Sequence, residues 1–160
     1  MSDAPSFVVP RPGPEHEVFN KDVGTWDAEI EVRHGGTTQK NRGVAVNKLA
    51  CNGMWLVTDF RTESGDFEGH GVYGYDPQQK KYVGTWVDPM RTSLAKMEGT
   101  WDAEKQTMTY TGELSMPQGT MRWREVTETV DADTQVFHQM MPGPDGGEIE
   151  TMTVTYRRRK

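Results

Sequence analysis

Four histidines and a single cysteine are the residues of this sequence best suited to metal binding or nucleophilic chemistry. No two histidines stand two or four residues apart, the spacing that puts paired ligands on one face of a strand or helix. The cysteine has no companion, so no internal disulfide can form, and its Ala-Cys-Asn-Gly context indicates a turn. The spacing therefore predicts no metal site and no reactive thiol among His16, His34, His70, His138 and Cys51.

His70 and two acids are the candidates for acid–base chemistry. His70 lies between two glycines, which leave room for a neighbouring ring or a ligand. Asp59 lies in an apolar segment, and Glu125 shares a strand face with a Met and a Trp. A buried carboxylate must be paired or hydrogen-bonded. Each acid therefore forms an internal ion pair with an arginine, lies at a solvated barrel mouth, or anchors a ligand.

Methionine and aromatic residues are the candidates for an apolar binding surface. Ten methionines are many for 160 residues, and several stand beside Trp or Tyr in predicted strands. Methionine adapts to irregular shapes, so these residues either fill a core or line a pocket for a flexible ligand. The predicted ligand-binding residues are Trp86, Met108, Tyr110, Met121, Trp123, His70 and Glu125.

Motifs for covalent or cofactor chemistry are missing from the sequence. It has no Gly-x-Ser-x-Gly nucleophile elbow, no phosphate loop and no dinucleotide fingerprint. We therefore assign no catalytic residue and expect no cofactor.

Short alternating segments must position these residues. From Thr25 onward the chain forms about ten such segments, rich in β-branched and aromatic residues and separated by Gly, Asn, Asp or Pro turns. The links are too short for parallel crossovers, so neighbouring strands pair antiparallel. A flat sheet of this length would leave two exposed edges, which closure removes. The sequence predicts an all-β fold: an antiparallel up-and-down barrel of about ten strands with a short N-terminal helix at residues 15–23.

Alternation also assigns strand faces. Met108, Tyr110 and Leu114 share one face, and Met121 and Trp123 share another with arginines on the opposite side. The segments 81–87 and 92–101 leave the inward face open. Residues 1–14 contain four prolines and predict an extended leader, and residues 15–160 predict a single barrel domain.

Charge and hydropathy limit the partners. The net charge of −6 argues against nucleic acid and anionic membranes. The sequence has neither a signal-peptide pattern nor an apolar run of membrane-spanning length, so we expect a cytoplasmic protein without a membrane partner. The expected partner is a small apolar or amphipathic ligand, and a homodimer stays open.

Gly-Thr-Trp occurs three times, first at residues 24–26. A short helix followed by Gly-x-Trp at the first strand resembles the lipocalin and wider calycin signature. The resemblance implies that Trp26 closes the bottom of the barrel beneath a cationic side chain from the last strand. Here Arg157 or Arg158 would supply that cation–π contact.

A second resemblance covers the chain from Pro12. The sequence is similar to the bacterial family catalogued as domain of unknown function 1579, which implies a calycin-like fold and supplies no reaction, cofactor or catalytic residue. The blocks that carry the resemblance are 12–16, 23–26, 67–71, 74–76, 80–88, 98–102, 142–146 and 151–152.

Haem binding is a further possibility for small barrels of this kind. The haem-binding nitrobindin-like group has a Gly-x-Trp-x-Gly-x-Gly signature, and here the residues after Trp26 are Asp, Ala, Glu and Ile. Both later glycines are missing, which argues against haem. His138, on a late strand, would be the first candidate ligand.

The function favoured by these patterns is binding of a small, mainly apolar molecule in the barrel cavity, by analogy with the fold. An enzyme whose acid–base residues His70, Asp59 and Glu125 line the same cavity is the alternative. A structural or assembly module is another. A convergent pair of titratable groups inside the barrel would favour the enzyme, and a filled interior would favour assembly.

Overall fold

A computed structural model describes residues 7–160 of the chain. It contains one 3₁₀ helix, η1, followed by ten strands. The predicted leader, residues 1–14, begins outside the described residues, and Pro14 is already the first residue of η1. The elements are η1 (Pro14–Asp22), β1 (Gly24–His34), β2 (Thr37–Ala50), β3 (Trp55–Thr62), β4 (Glu68–Asp76), β5 (Lys81–Val87), β6 (Ala95–Asp102), β7 (Thr107–Met116), β8 (Gly119–Asp131), β9 (Thr134–Pro142) and β10 (Glu148–Arg158).

The strands form a closed antiparallel barrel. Each strand pairs with its neighbours in the chain, and β1 closes the sheet by pairing with β10. Trp26 of β1 thus lies between Ala45 of β2 and Arg158 of β10. The predicted fold is confirmed, and its cause is the short links, which permit hairpins and no crossover.

Helix η1 covers one end of the barrel, and Trp26 lies beneath it. Phe19 of the helix is 2% exposed and Trp26 is 1% exposed. The indole Nε1 of Trp26 donates to the Asp22 carbonyl over 2.9 Å. The Arg158 guanidinium lies 4.2 Å from the Trp26 ring centroid and donates to the carbonyls of two residues at the end of η1 and just beyond it. The expected cation over Trp26 is therefore Arg158, whereas Arg157 is exposed.

Register settles which side chains point inward on β5 and β6. Gly84 pairs with Met97, and Trp86 pairs with Ala95. Met97 and Ala95 are almost fully buried, so the face of β5 that carries Trp86 is the inner one.

Inward glycines lie beneath inward aromatic rings. A Cβ atom at Gly112 would lie 2.3 Å from Cε2 of Trp123, and one at Gly69 would lie 2.1 Å from Cζ2 of Trp86. Each indole therefore lies along the barrel wall, over the backbone of a neighbouring strand. Only a residue without a side chain leaves room for a ring in that position.

Candidate functional site

Within residues 7–160 no helix covers the end of the barrel opposite η1, which we call the mouth. The turns at 35–36, 63–67, 88–94, 117–118 and 143–147 surround it. Since helix η1 covers the other end, we expect a ligand to enter the interior through the mouth.

Six of the seven predicted ligand-binding residues lie on inward faces, at different depths. Met108 packs near η1, in the cluster that contains Phe19. Trp123 belongs to a cluster close to the mouth, against which Trp86 and Met121 pack. Tyr110 and Glu125 pair with each other across β7 and β8, between these two levels.

His70 and Asp59 lie outside the barrel, and the expectation that they line the cavity is wrong. Their neighbours Phe60 and Gly69 are buried and point inward, so alternation turns these two side chains outward. His70 Nδ1 and Asp59 Oδ1 lie 2.7 Å apart, with the side chains 43% and 40% exposed. Strand β3 carries apolar residues on both faces, so alternation in the sequence does not show which of its faces points inward.

His138, the candidate haem ligand, also lies outside the barrel cavity. It pairs with Val126, next to the inward pair of Glu125 and Gln139, and its Nδ1 contacts Glu150. Among residues 7–160, no group of three or more His, Cys, Asp or Glu side chains is arranged to hold a metal ion.

Glu125 is the acid in the middle of the interior. Trp123 Nε1 donates to its Oε1 over 2.7 Å, and Gln139 of β9 lies directly opposite. Burial raises the pKa of the Glu125 carboxyl. The hydrogen bonds from Trp123 and Gln139 and the charge of Arg91 act in the other direction and are weaker.

Three tyrosines lie close enough to this carboxylate to be affected by its charge. Burial raises the pKa of Tyr73, Tyr110 and Tyr156, and the charge of Glu125 contributes to each increase. The rings of Tyr73 and Tyr110 lie 5.5 Å apart between centroids. Within residues 7–160 their three hydroxyls have no protein hydrogen-bond partner, in contrast to Tyr82, whose hydroxyl donates to the Glu15 carbonyl over 2.9 Å.

A space remains beside these groups. Tyr73, Glu125 and Tyr156 lie deep enough for burial to raise their pKa values, yet their side chains are only partly covered by protein. Phe137 and Gln139 point into the same region and are also partly covered. Because these residues lie inside a closed barrel, the area that protein leaves uncovered indicates water-sized space next to Glu125.

The turn between β5 and β6 adds two charges at the mouth. Trp86 Nε1 donates to Asp88 Oδ2 over 3.0 Å, and the Asp88 side chain is 4% exposed. Arg91 Nη2 lies 3.5 Å from Asp88 Oδ2, and its guanidinium lies 5.8 Å from the Trp123 ring centroid. Arg91 therefore reaches from the turn toward the interior.

The sequence pattern did not select several of these residues. Tyr73, Tyr156, Asp88, Arg91 and Gln139 were missed, although alternation contained a signal for some of them. Tyr73 follows Gly69 and Gly71 at intervals of two, Asp88 follows Trp86, and Tyr156 follows an apolar Met and Val at the same spacing. Arg91 stands in a turn, where alternation gives no direction.

A groove of about 540 Å³ lies elsewhere, between η1 and the strands β5 and β6. Its wall includes Val18 and Trp101, with Lys21 Nζ 4.7 Å from the Trp101 ring centroid. The groove is open to solvent and contains none of the predicted site residues, so the interior is the better candidate site. In the part of the chain that the structure describes, no helix has the length and apolar character to cross a membrane.

Solved structures with the same fold include two small barrels. The protein Rv2717c from M. tuberculosis matches with a TM-score of 0.69 and 10% sequence identity, over 92% of this chain and 99% of that one. The S-type phycobiliprotein lyase CPES from Guillardia theta matches with a TM-score of 0.57 and 10% identity, over 91% and 93%. At this identity the likeness shows the lipocalin-like barrel fold alone.

Sequence comparison gives the family. No curated protein matches the sequence. The model of the family described as "Protein of unknown function (DUF1579)" matches residues 11–158, nearly the whole chain. The chain belongs to this family.

Proposed function

We propose that the barrel binds a small, mainly apolar molecule in its interior, with Glu125 as a polar anchor. The observation that carries the proposal is the partly covered group of Tyr73, Glu125 and Tyr156 deep inside a closed barrel. Hydroxyls in an apolar surrounding cost free energy unless they are hydrogen-bonded. The ligand or water next to Glu125 must therefore form hydrogen bonds with these tyrosine hydroxyls.

The walls near the mouth suit an apolar ligand. Trp86 and Trp123 contribute flat indole surfaces, and Met121, Met141 and Met152 contribute flexible thioethers. Small-molecule sites are mostly apolar with a few placed polar groups. The likeness to a barrel named a phycobiliprotein lyase is compatible with this function.

An acid–base enzyme is the second candidate, and one observation favours it. Glu125 and the hydroxyls of Tyr73, Tyr110 and Tyr156 form a convergent titratable group inside the barrel. A buried carboxyl with a raised pKa suits proton transfer. His70 and Asp59 have no part in this candidate because they lie outside the barrel.

Titration with an uncharged naphthalene probe such as Prodan tests the binding proposal. We expect saturable binding, with quenching of tryptophan emission. Trp123→Ala should weaken binding about tenfold or more, the effect of losing roughly 1.4 kcal/mol of contact. Arg122→Ala is the matched control, because Arg122 is the exposed neighbour of Trp123 on β8 and should change nothing.

Two results would contradict the proposal. One is no probe binding up to the solubility limit of Prodan. The other is equal effects of the Trp123 and Arg122 variants. If Trp123→Ala fails to fold, Met121→Ala replaces it, because Met121 is only partly covered and its loss should be tolerated.

A further inference from the structure

We infer that the ligand of the interior ends in an amine and binds as the ammonium, with the nitrogen at Glu125 and the apolar body along the aromatic walls. The inference rests on the proposed function and adds the chemical class of the ligand. The charges, the hydrogen-bond acceptors and the aromatic faces of the site support it separately.

The charges between the mouth and the middle of the barrel have a negative excess. Asp88 and Glu125 are two carboxylates, and Arg91 is the guanidinium that acts on both of them. With Glu125 ionised, the group carries one uncompensated negative charge. Arg158, at the other end, is engaged with Trp26 and with backbone carbonyls, so it does not neutralise this charge.

The oxygens of the site can still accept further hydrogen bonds. An ionised carboxylate has about four lone-pair sites, and Trp123 and Gln139 occupy two of those on Glu125. The hydroxyl oxygens of Tyr73, Tyr110 and Tyr156 also accept, and no residue within 7–160 bonds to them. An ammonium has three donors and no acceptor, which complements this arrangement.

Aromatic residues are neighbours of the same carboxylate. Tyr110 lies directly opposite Glu125 across β7 and β8, Tyr73 packs against Tyr110, and Trp123 bonds to Glu125. A cation over aromatic faces is attracted by the ring quadrupoles, and a cage of such rings is a known solution for binding ammonium groups. Where water is excluded, this attraction is strongest.

An anionic ligand would be repelled by the charge of Glu125. A carboxylate beside Glu125 would place two like charges close together in a medium of low dielectric constant. Arg91 could compensate such a ligand only by leaving Asp88, whose side chain is nearly buried and would lose its charge partner. A fatty acid or another carboxylate is therefore a poor ligand for this interior.

Three naphthalenes that differ in one group test the inference on the full chain: 1-(aminomethyl)naphthalene, 1-naphthalenemethanol and 1-naphthaleneacetic acid. At pH 7 we expect the amine to bind about tenfold more tightly than the alcohol (about 1.4 kcal/mol) and the acid to bind most weakly. Glu125→Gln should remove the preference for the amine over the alcohol. Glu128→Gln is the control, because Glu128 is exposed on the outer face of β8.

The outcomes separate this inference from the proposed function. If the alcohol or the acid binds as tightly as the amine, the inference is wrong while interior binding stands. If Glu125→Gln keeps the amine preference, the ammonium does not lie at Glu125, and the inference is wrong. If none of the three binds, the proposed function itself fails. Should Glu125→Gln not fold, the ranking of the three compounds on the parent protein still decides.

Discussion

The indole of Trp123 donates a 2.7 Å hydrogen bond to Glu125, two residues further along the inward face of β8. The bond joins a large apolar side chain near the mouth to the carboxylate in the middle of the barrel. It fixes the position of Glu125 Oε1, and Glu125 as a residue is only partly covered. One strand therefore supplies both the apolar wall and the polar anchor of the candidate site.

Glu125→Gln should stabilise the protein at neutral pH. Burial raises the pKa of this carboxyl above its ordinary 4.5, so the folded state binds its proton more tightly than the unfolded state does. This contribution to stability is present below the unfolded pKa and is lost as the pH rises through the folded pKa. Each unit of displacement corresponds to about 1.4 kcal/mol.

Urea unfolding of the parent and the variant at several pH values measures this effect. The stability difference should be small near pH 4 and should grow in favour of Glu125→Gln toward pH 8. The exposed Glu128→Gln variant should show no such trend. A Glu125→Gln protein less stable than the parent at pH 8 would mean that the ionised carboxylate is stabilised by its surroundings.

Trp26→Ala should destabilise the protein by about 3–5 kcal/mol, because it removes a buried ring and leaves a cavity beneath η1. Arg158→Ala should also destabilise it, since Arg158 covers the ring and donates to backbone carbonyls. Arg157→Ala is the control from the outer face. Midpoints of denaturant unfolding measure all three, and an unchanged midpoint for Trp26→Ala would refute the closing role of this residue.

Gly112→Ala should destabilise the protein by about 1–3 kcal/mol, as expected for overpacking. The added methyl group would lie 2.3 Å from Trp123 and would push the indole off the wall. Thr111→Ala, exposed on the same strand, should have little effect. Thermal melts provide the comparison, and combining Gly112→Ala with Trp123→Phe should restore part of the loss. A Gly112→Ala melt equal to that of the parent would place the ring elsewhere.

His70→Ala should leave ligand binding intact. The pair of His70 and Asp59 lies on the outer face and is well exposed, so its loss should change stability by no more than about 1 kcal/mol. Prodan affinity and unfolding midpoints are the measurements. A large loss of Prodan affinity would show that His70 communicates with the interior, contrary to its outward position.

Local patterns in the sequence determined the barrel and much of its inner surface. Alternation and short links are properties of neighbouring residues, so they predict antiparallel hairpins without knowledge of the tertiary structure. The inward positions of Met108 and Tyr110, and of Met121 and Trp123, follow from the same alternation and are observed. The closing position of Trp26 was implied by the resemblance of the short helix and Gly-x-Trp to the lipocalin signature.

Only the tertiary structure decided the inward faces of β3, β4, β5 and β6 and the composition of the site. Strand β3 carries apolar residues on both faces, so alternation alone does not assign Asp59 to a face. Its outward position follows from the inward pair of Phe60 and Gly69. Tyr73 and Tyr156 lie on β4 and β10, far apart in sequence, and both are affected by the charge of Glu125 because the barrel closes. That proximity depends on the stagger of all ten strands, a property of the whole sheet that no single segment contains.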